Sequence, residues 1–395
     1  MILQPGNFFW GLGADGAILV GRGAVRYVDD LGNIMKIPFI KSILWSGRLC
    51  VFSLLLSVVG CATKAPKQYL VFPTPPEEPR IQFLTGISSE ADLAPQGGFA
   101  HFILGEQRIH RPIMKPYGIA SQKDFLYVCN TELANFSVID LAKKTLRYFI
   151  PQGMGAIKLP INIAVAPDGT RYVTDLKRQQ VLVYAKDGAY NGTFGKTNMI
   201  PCGLALAGDR LYVTDMHRDN PCVRVYSLST GEELFTAPND PANAKDEEGR
   251  LYHPTNVALD PEGNIYVSDT GNYCVQIYDA QGKHLRKVGD QAPLAGHFLR
   301  NKGIGVDREG RFYVVDSDTG VAQLFDREGH LLLFFGVPKA SGDASLYLPA
   351  GVCVDYENVG YFQKFAAPGV KIEYLIFITN QAGPNKIGVY GFIKK

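Results

Sequence analysis

Residues able to do acid–base, nucleophilic or metal chemistry are present in this sequence, but their spacing matches no familiar catalytic arrangement. Seven histidines are spread between His101 and His330 at unrelated positions. Of the seven cysteines, five follow Cys61, namely Cys129, Cys202, Cys222, Cys274 and Cys353. They form no CxxC pair for zinc and no CxxCH site for haem, so no haem partner is expected and buried thiols are the default. GxSxG, P-loop and HExxH motifs are also missing from the chain. Two basic pairs, Lys177-Arg178 and His217-Arg218, each follow an aspartate at the same step and are candidates for one patch that takes a carboxylate or phosphate group. Asp175, Asp215, Asp269 and Asp316 recur at a single repeat position, with Asn130 and Asn380 matching them. A group present in every repeat is expected to cap turns, because a catalytic group is normally unique.

Composition indicates the elements that must hold such residues. Glycine (42), tyrosine (20) and phenylalanine (22) are abundant among 395 residues, a mix that suits many short strands joined by tight turns. An all-β fold is expected. The chain carries 40 Lys+Arg and 38 Asp+Glu; five and three of these precede residue 62, which leaves 35 of each beyond it. A neutral domain has no global field to draw in nucleic acid or anionic lipid, so any electrostatic partner needs a local patch.

Internal repetition organises most of the chain. The segments "PINIAVAPDGTRYVTDLKRQQVLVYAKDG" from Pro160, "PTNVALDPEGNIYVSDTGNYCVQIYDAQG" from Pro254 and "NKGIGVDREGRFYVVDSDTGVAQLFDREG" from Asn301 share one pattern, and weaker copies begin at Pro116, Pro201 and Pro349. Successive starts lie 44, 41, 53, 47 and 48 residues apart, as in propeller blades with variable loops. Each unit reads as four strands. The sixth unit has its second strand displaced to Leu375–Asn380 by an insertion, and it ends after a third strand at Lys386–Ile393. The alternating segment Arg80–Ile87 has the pattern of an outer strand. Pairing it with the sixth unit closes the ring and leaves no open sheet edge there.

On these motifs, residues 79–395 resemble an NHL-repeat six-bladed β-propeller: six four-stranded blades closed by an N-terminal outer strand. The fold hosts enzymes, RNA binders and scaffolds. The slot after the first proline of each repeat holds Tyr117, Ile161, Cys202, Thr255, Lys302 and Ala350. The amidating lyases that this chain resembles place histidines there to hold zinc, and none is present, so that chemistry is not expected. The next slot holds Gly118, Asn162, Gly203, Asn256, Gly303 and Gly351. Resemblance to lactonase-like propellers makes Asn162 and Asn256 candidate ligands for a funnel calcium ion, although the glutamate and aspartate those enzymes also use have no counterpart at these slots. Tyr117, Asn162, Lys177, Arg178, His217, Arg218, Asn256 and Lys302 are therefore candidates for a binding site on the funnel face.

The segment before the repeats reads as an export signal. Leu49–Gly60 is apolar but well short of the roughly 20 residues a spanning helix needs. It follows Lys41 and Arg48 and ends at Val58-Val59-Gly60-Cys61, which resembles a bacterial lipobox. Cys61 is thus the expected lipidation site. Residues 35–60 form the expected signal peptide, residues 61–78 a Pro-rich tether, and residues 1–34 an upstream extension outside the true start. Ala62, with no aspartate beside the cysteine, resembles the sorting pattern for an outer membrane, with the domain facing the periplasm or the cell surface. Export separates the domain from RNA, so no nucleic-acid partner is expected.

Three inserts depart from the minimal repeat: 92–114, 236–253 and 359–374. Loops longer than a scaffold needs are where recognition concentrates. Tyr361, Phe362 and Phe365 are accordingly candidate interface anchors. The expectation is a lipid-anchored propeller without enzymatic activity or cofactor that binds a protein or glycan partner at the cell envelope. The alternative is a calcium-dependent lactonase-like hydrolase.

Overall fold

The computed structural model describes residues 8–13, 16–21, 24–28, 34–36, 68–93, 110–195, 198–239, 249–336 and 342–394. The chain divides into two units, 1–67 and 68–395. In the first, strands Phe8–Gly13, Gly16–Gly21, Ala24–Val28 and Ile34–Lys36 pair as an antiparallel meander. Cys61, residues 37–60 of the expected signal, His101, most of the first insert and the middle of the second lie outside the described residues. Among the described residues no helix is long and apolar enough to cross a membrane.

The second unit is the six-bladed ring. Its inner strands are Pro116–Gln122, Pro160–Val165, Pro201–Ala207, Pro254–Leu259, Asn301–Val306 and Pro349–Asp355, which define blades 1 to 6 in order. Each of blades 1 to 5 is a four-stranded antiparallel sheet, and the turn between its first two strands carries a glycine where the pattern reads Asp-Gly or Glu-Gly. Gly169, Gly263 and Gly310 have φ of 90, 86 and 79° there, a conformation that only glycine adopts without strain.

Blade 6 closes the ring as the pattern predicts. Ile81–Ile87 pairs with Ile387–Ile393, which pairs with Ile372–Asn380. Two details differ from expectation. The second strand begins three residues earlier than Leu375, because Ile372 pairs across a bulge with Ile393. Part of the expected tether is also a fifth strand: Val71–Phe72 pairs with Gln82 and Ile81, and Phe72 packs its ring 6.1 Å from Phe335. An aromatic residue at that point gains more from the outer edge of the ring than from solvent.

Six apolar clusters hold the sheets together, one at each seam between neighbouring blades. The recurring Tyr-Val strand supplies the largest pieces; Tyr212, Tyr266 and Tyr313 are fully buried. The recurring aspartates act as turn clamps. Asp175 accepts backbone N–H bonds from Lys158, Leu159 and Arg178, and Asp316 from Leu299, Arg300, Asp318 and Thr319. Asp215 and Asp269 do the same for the loops before Pro201 and Pro254. A buried carboxylate in this position is stabilised by amide donors and fixes the point where the chain turns into the funnel.

The seam between blades 6 and 1 joins residues far apart in sequence. There the Thr379 hydroxyl donates to the Tyr117 carbonyl at 2.5 Å and accepts from the Gly351 amide at 2.8 Å, while its side chain is fully buried. Thr379→Val keeps the shape and leaves both backbone groups unpaired. It is expected to lower unfolding stability by roughly 1–3 kcal/mol, measured by urea denaturation. An unchanged midpoint would remove this latch from the closure of the ring.

Candidate functional site

Every inner strand enters the funnel through the same distortion. Pairing with the second strand is regular except for a bulge just after the first residue, in all six blades. At the bulge the backbone amide of Asn162, Gly203 or Gly351 turns to the hydroxyl of Thr174, Thr214 or Thr379. A bulge re-aims side chains, and here it brings residues of the first two slots of different blades together.

The second slot is small because neighbouring backbones touch. A Cβ on Gly118 would lie 2.5 Å from the Asn162 Cα, one on Gly203 2.6 Å from the Asn256 Cα, and one on Gly351 2.4 Å from the Tyr117 carbonyl oxygen. Asparagine occurs only at Asn162 and Asn256, on either side of Gly203. Their side chains meet over that glycine, Asn162 Nδ2 donating to Asn256 Oδ1 at 2.8 Å. Asn162 Oδ1 in turn accepts the Ile163 amide at 2.8 Å. The Asn256 Nδ2 is buried, and the Asn256 side chain also hydrogen-bonds the Tyr117 phenol.

Around this pair stand Tyr117, Cys202 and Lys302 from three other blades. The Lys302 ammonium lies 5.3 Å from the centre of the Tyr117 ring, a cation–π contact. Burial holds the Lys302 pKa below the ordinary lysine value, and the neighbouring cations Arg300 and Lys115 push the same way, against Cys202 and Asp318. Burial pushes the Cys202 thiol up to about 12, opposed by the Lys302 charge. Burial, followed by the neighbouring Cys202, raises the Tyr117 phenol well above its usual value. At neutral pH the phenol and the thiol are therefore neutral beside the Lys302 side chain, and the Asn256 amide bonds the phenol.

That donor set does not suit a calcium ion. Calcium needs several oxygens, carboxylates foremost. Here both asparagine oxygens are taken by N–H donors, the remaining Asn256 atom is itself a donor beside the Tyr117 phenol, and a cation stands next to that ring. Among the described residues no group of three or more His, Cys, Asp or Glu converges on a point that could hold a metal.

The ring brings Tyr117, Asn162, Asn256 and Lys302 together as anticipated, but the other expected site residues have separate roles. Arg178 donates to the Met154 and Ala156 carbonyls at 2.7 and 2.8 Å and braces its own loop. His217 accepts from the Asp219 amide. Lys177 and Arg218 are exposed, and no bond joins the two basic pairs among the described residues. Phe362 is fully buried and packs on Phe377 with ring centres 5.5 Å apart, inside the seam between blades 6 and 1. It anchors the insert to the ring and offers no surface to a partner. Half-buried Tyr361 and Phe365 pack against the same cluster. Arg300 and Lys115, which precede the inner strands and add charge at the mouth, were not singled out from the sequence. The signal for them was Lys302, the one charged residue among the six first-slot positions.

Because the folded-state pKa of Lys302 is lowered, the sign of its effect on stability is fixed. Below that pKa the lysine is protonated folded or unfolded and the full cost of holding the charge in the funnel is present. As pH rises toward the unfolded value of 10.5, the folded protein loses the proton first and the cost disappears. Lys302→Met should raise Tm at pH 7, with the gain shrinking at alkaline pH; a lower Tm at pH 7 would contradict the funnel electrostatics.

Residues 251–278, which include the first three strands of blade 4, match the NHL repeat family. No curated protein matches the chain. Among solved structures, the chain is similar to a protein of unknown function from Bacteroides thetaiotaomicron, with 14% identity, a TM-score of 0.54 and coverage of 98% of this chain and 87% of that one. It is also similar to a gluconolactonase from Xanthomonas campestris, with 14% identity, a TM-score of 0.52 and coverage of 84% and 99%. A virginiamycin B lyase from Staphylococcus aureus aligns at 15% identity and a TM-score of 0.45 over 71% of this chain and 85% of that one. At such identities the likeness shows fold alone. The chain is a six-bladed β-propeller of four-stranded blades that carries an NHL repeat in its fourth blade.

Proposed function

We propose that this chain is an exported, lipid-anchored binding module whose funnel mouth receives an acidic group of a protein or glycan partner at the cell envelope. The observation that carries the reading is the funnel cluster: Lys302 stacked on Tyr117, whose phenol also meets the side chains of Cys202 and Asn256. Arg300 and Lys115 extend the positive charge outward. Arg300 also pairs with Asp318 at 3.9 Å, which leaves Lys302 and Lys115 as the cations a ligand rich in oxygen and negative charge would meet, and a charge-assisted hydrogen bond in such a site is worth about 1.5–3 kcal/mol. Export and anchoring rest on the sequence around Cys61.

Binding is favoured over turnover by the same residues. The Cys202 thiol, its pKa pushed up to about 12, is a poor nucleophile at neutral pH, and its side-chain hydrogen bond among the described residues is with the Tyr117 phenol, which is no base. The likeness to a gluconolactonase extends to the fold and supplies no matching donor set.

The test is purification from detergent-solubilised membranes, followed by mass spectrometry of whatever remains bound in stoichiometric amount. The wild type is expected to retain one acidic protein or glycan. The double variant Lys302→Ala/Arg300→Ala should retain at least about tenfold less, for a loss of 1.4 kcal/mol or more. Cys61→Ser should move the protein to the soluble fraction. A partner held equally by the double variant would overturn the funnel as its binding site.

A further inference from the structure

We propose a second site: the cleft at the seam between blades 1 and 2 binds an oxyanion, the phosphate or carboxylate group of a ligand, on Arg171. This goes beyond the funnel reading and is independent of it.

The repeat itself points to Arg171. The residue before the Tyr-Val step of the second strand, or its equivalent, is Leu126 in blade 1, Leu211 in blade 3, Ile265 in blade 4, Phe312 in blade 5 and Ile376 in blade 6, each with 0% exposure. Each belongs to the apolar cluster that glues its blade to the preceding one. Blade 2 alone carries an arginine at this slot, only 7% exposed. Replacing a core hydrophobe by a buried guanidinium is costly unless the charge is answered.

Within the described residues nothing answers it. Arg171 donates to the carbonyls of Ala185 and Lys186 at 3.2 and 3.1 Å, its Nε has no partner, and the faces of Tyr127 and Phe149 lie 5.5 and 5.9 Å from its Cζ. It forms no ion pair. Among the described residues two of the three half-buried arginines pair with carboxylates, and the third, Arg178, donates to carbonyls. Arg224 is held by Asp215 and Glu233, and Arg311 by Asp307 and Glu309. Arg171 is the most buried arginine among the described residues, and no carboxylate there pairs with it.

The space beside it has the right form and charge. Two adjoining cavities of about 260 and 440 Å³ share Arg147, Arg171 and Lys186 in their walls. Lys123 adds a further cation to the larger one, and Arg147, Lys186 and Lys123 form no ion pair among the described residues. Two carboxylates also line the walls, Asp187 in the smaller cavity and Glu357 in the larger. Asp187 is engaged by the Ala189 amide of its own turn, and nearby Asp168 holds Thr170. Four cations face Asp187, Glu357 and the neighbouring Asp168, whose carboxyl is held down by Thr170 and then by Lys186, and the guanidinium among them has an unused Nε–H. Clusters of this kind recognise oxyanions by charge-assisted hydrogen bonds.

Binding of inorganic phosphate, and separately of citrate, is to be measured by calorimetry at low and constant ionic strength, because screening weakens exposed cations. Vesicles of phosphatidylglycerol against phosphatidylcholine test whether the oxyanion belongs to a lipid headgroup. The exposed pair Arg147→Glu/Lys186→Glu should weaken binding at least about tenfold while leaving the fold intact, which is 1.4 kcal/mol. Saturable binding of phosphate or citrate, lost in that variant, assigns a free oxyanion; binding confined to the anionic vesicles, and lost in the same way, assigns a headgroup. Arg171→Leu restores the residue type of the other blades and should abolish binding without lowering Tm in anion-free buffer. No binding of any probe, or equal binding by the charge-reversed variant, would overturn the proposal. So would a lower Tm for Arg171→Leu with phosphate binding unchanged, because the arginine would then be a brace only.

Discussion

Everything in this ring depends on the contact of backbones at its centre. Six inner strands converge until a carbonyl or Cα of one blade occupies the place where a neighbour's Cβ would be, and this forces glycine at four of the six second-slot positions. Convergence then needs a way to satisfy polar groups that the bulges release from the sheet ladder. Hydroxyls of the second strands supply it, bonding a bulge amide of their own blade, a carbonyl of the next, or both. Thr174 reaches the Cys202 carbonyl, Thr270 that of Asn301, Ser317 that of Pro349 and Thr379 that of Tyr117. The last of these joins the end of the chain to its first blade, so closure uses the device found inside the ring. A buried backbone group without a partner would cost about as much as a lost hydrogen bond, which is why the pattern repeats.

The same centre explains why the polar cluster in the funnel exists. Where the second slot is glycine, the funnel wall has no side chain; where it is asparagine, an amide projects across the gap left by Gly203. Side chains of the first slot then fill the space, and their identities are free to vary because they face one another and not the sheet. Tyr117, Cys202 and Lys302 come from blades 1, 3 and 5, and only the closed ring assembles them. The scaffold is built by repetition, and the chemistry by departures from it.

Much of this was legible in the sequence, because a propeller writes its constraints once per blade. The starts of all six blades, the outer strand that closes blade 6 and the clamping role of Asp175, Asp215, Asp269 and Asp316 follow from position in the repeat. Features set by contacts between blades were not legible. Phe362 looked like an exposed anchor because its loop breaks the pattern, yet the seam beside Phe377 had room for a ring. Lys177-Arg178 and His217-Arg218 looked like one patch because the pairs share a repeat position, but Arg178 and His217 each bond within their own loop. Val71–Phe72 fell within a Pro-rich stretch whose composition reads as a spacer, and only the open edge of Ile81–Ile87 shows what it pairs with.

The charge count needs the same correction. Equal numbers of acidic and basic residues suggest a surface without preference, but the two signs are deployed differently. Eight aspartates are buried among the described residues, Asp140, Asp175, Asp215, Asp260, Asp269, Asp307, Asp316 and Asp355, whereas Arg171 is the one buried basic residue. Short carboxylates reach backbone amides at turns, a task that a long cationic side chain cannot perform, so a turn-rich ring commits its acids to holding the chain. Their oxygens are largely committed to these amides, and Asp140, Asp215 and Asp307 pair in addition with Lys143, Arg224 and Arg311. Cations at the funnel mouth and in the cleft between blades 1 and 2 are thereby left in excess within a formally neutral domain. The excess of cations at those two places is a consequence of where the fold puts its carboxylates, not of net charge.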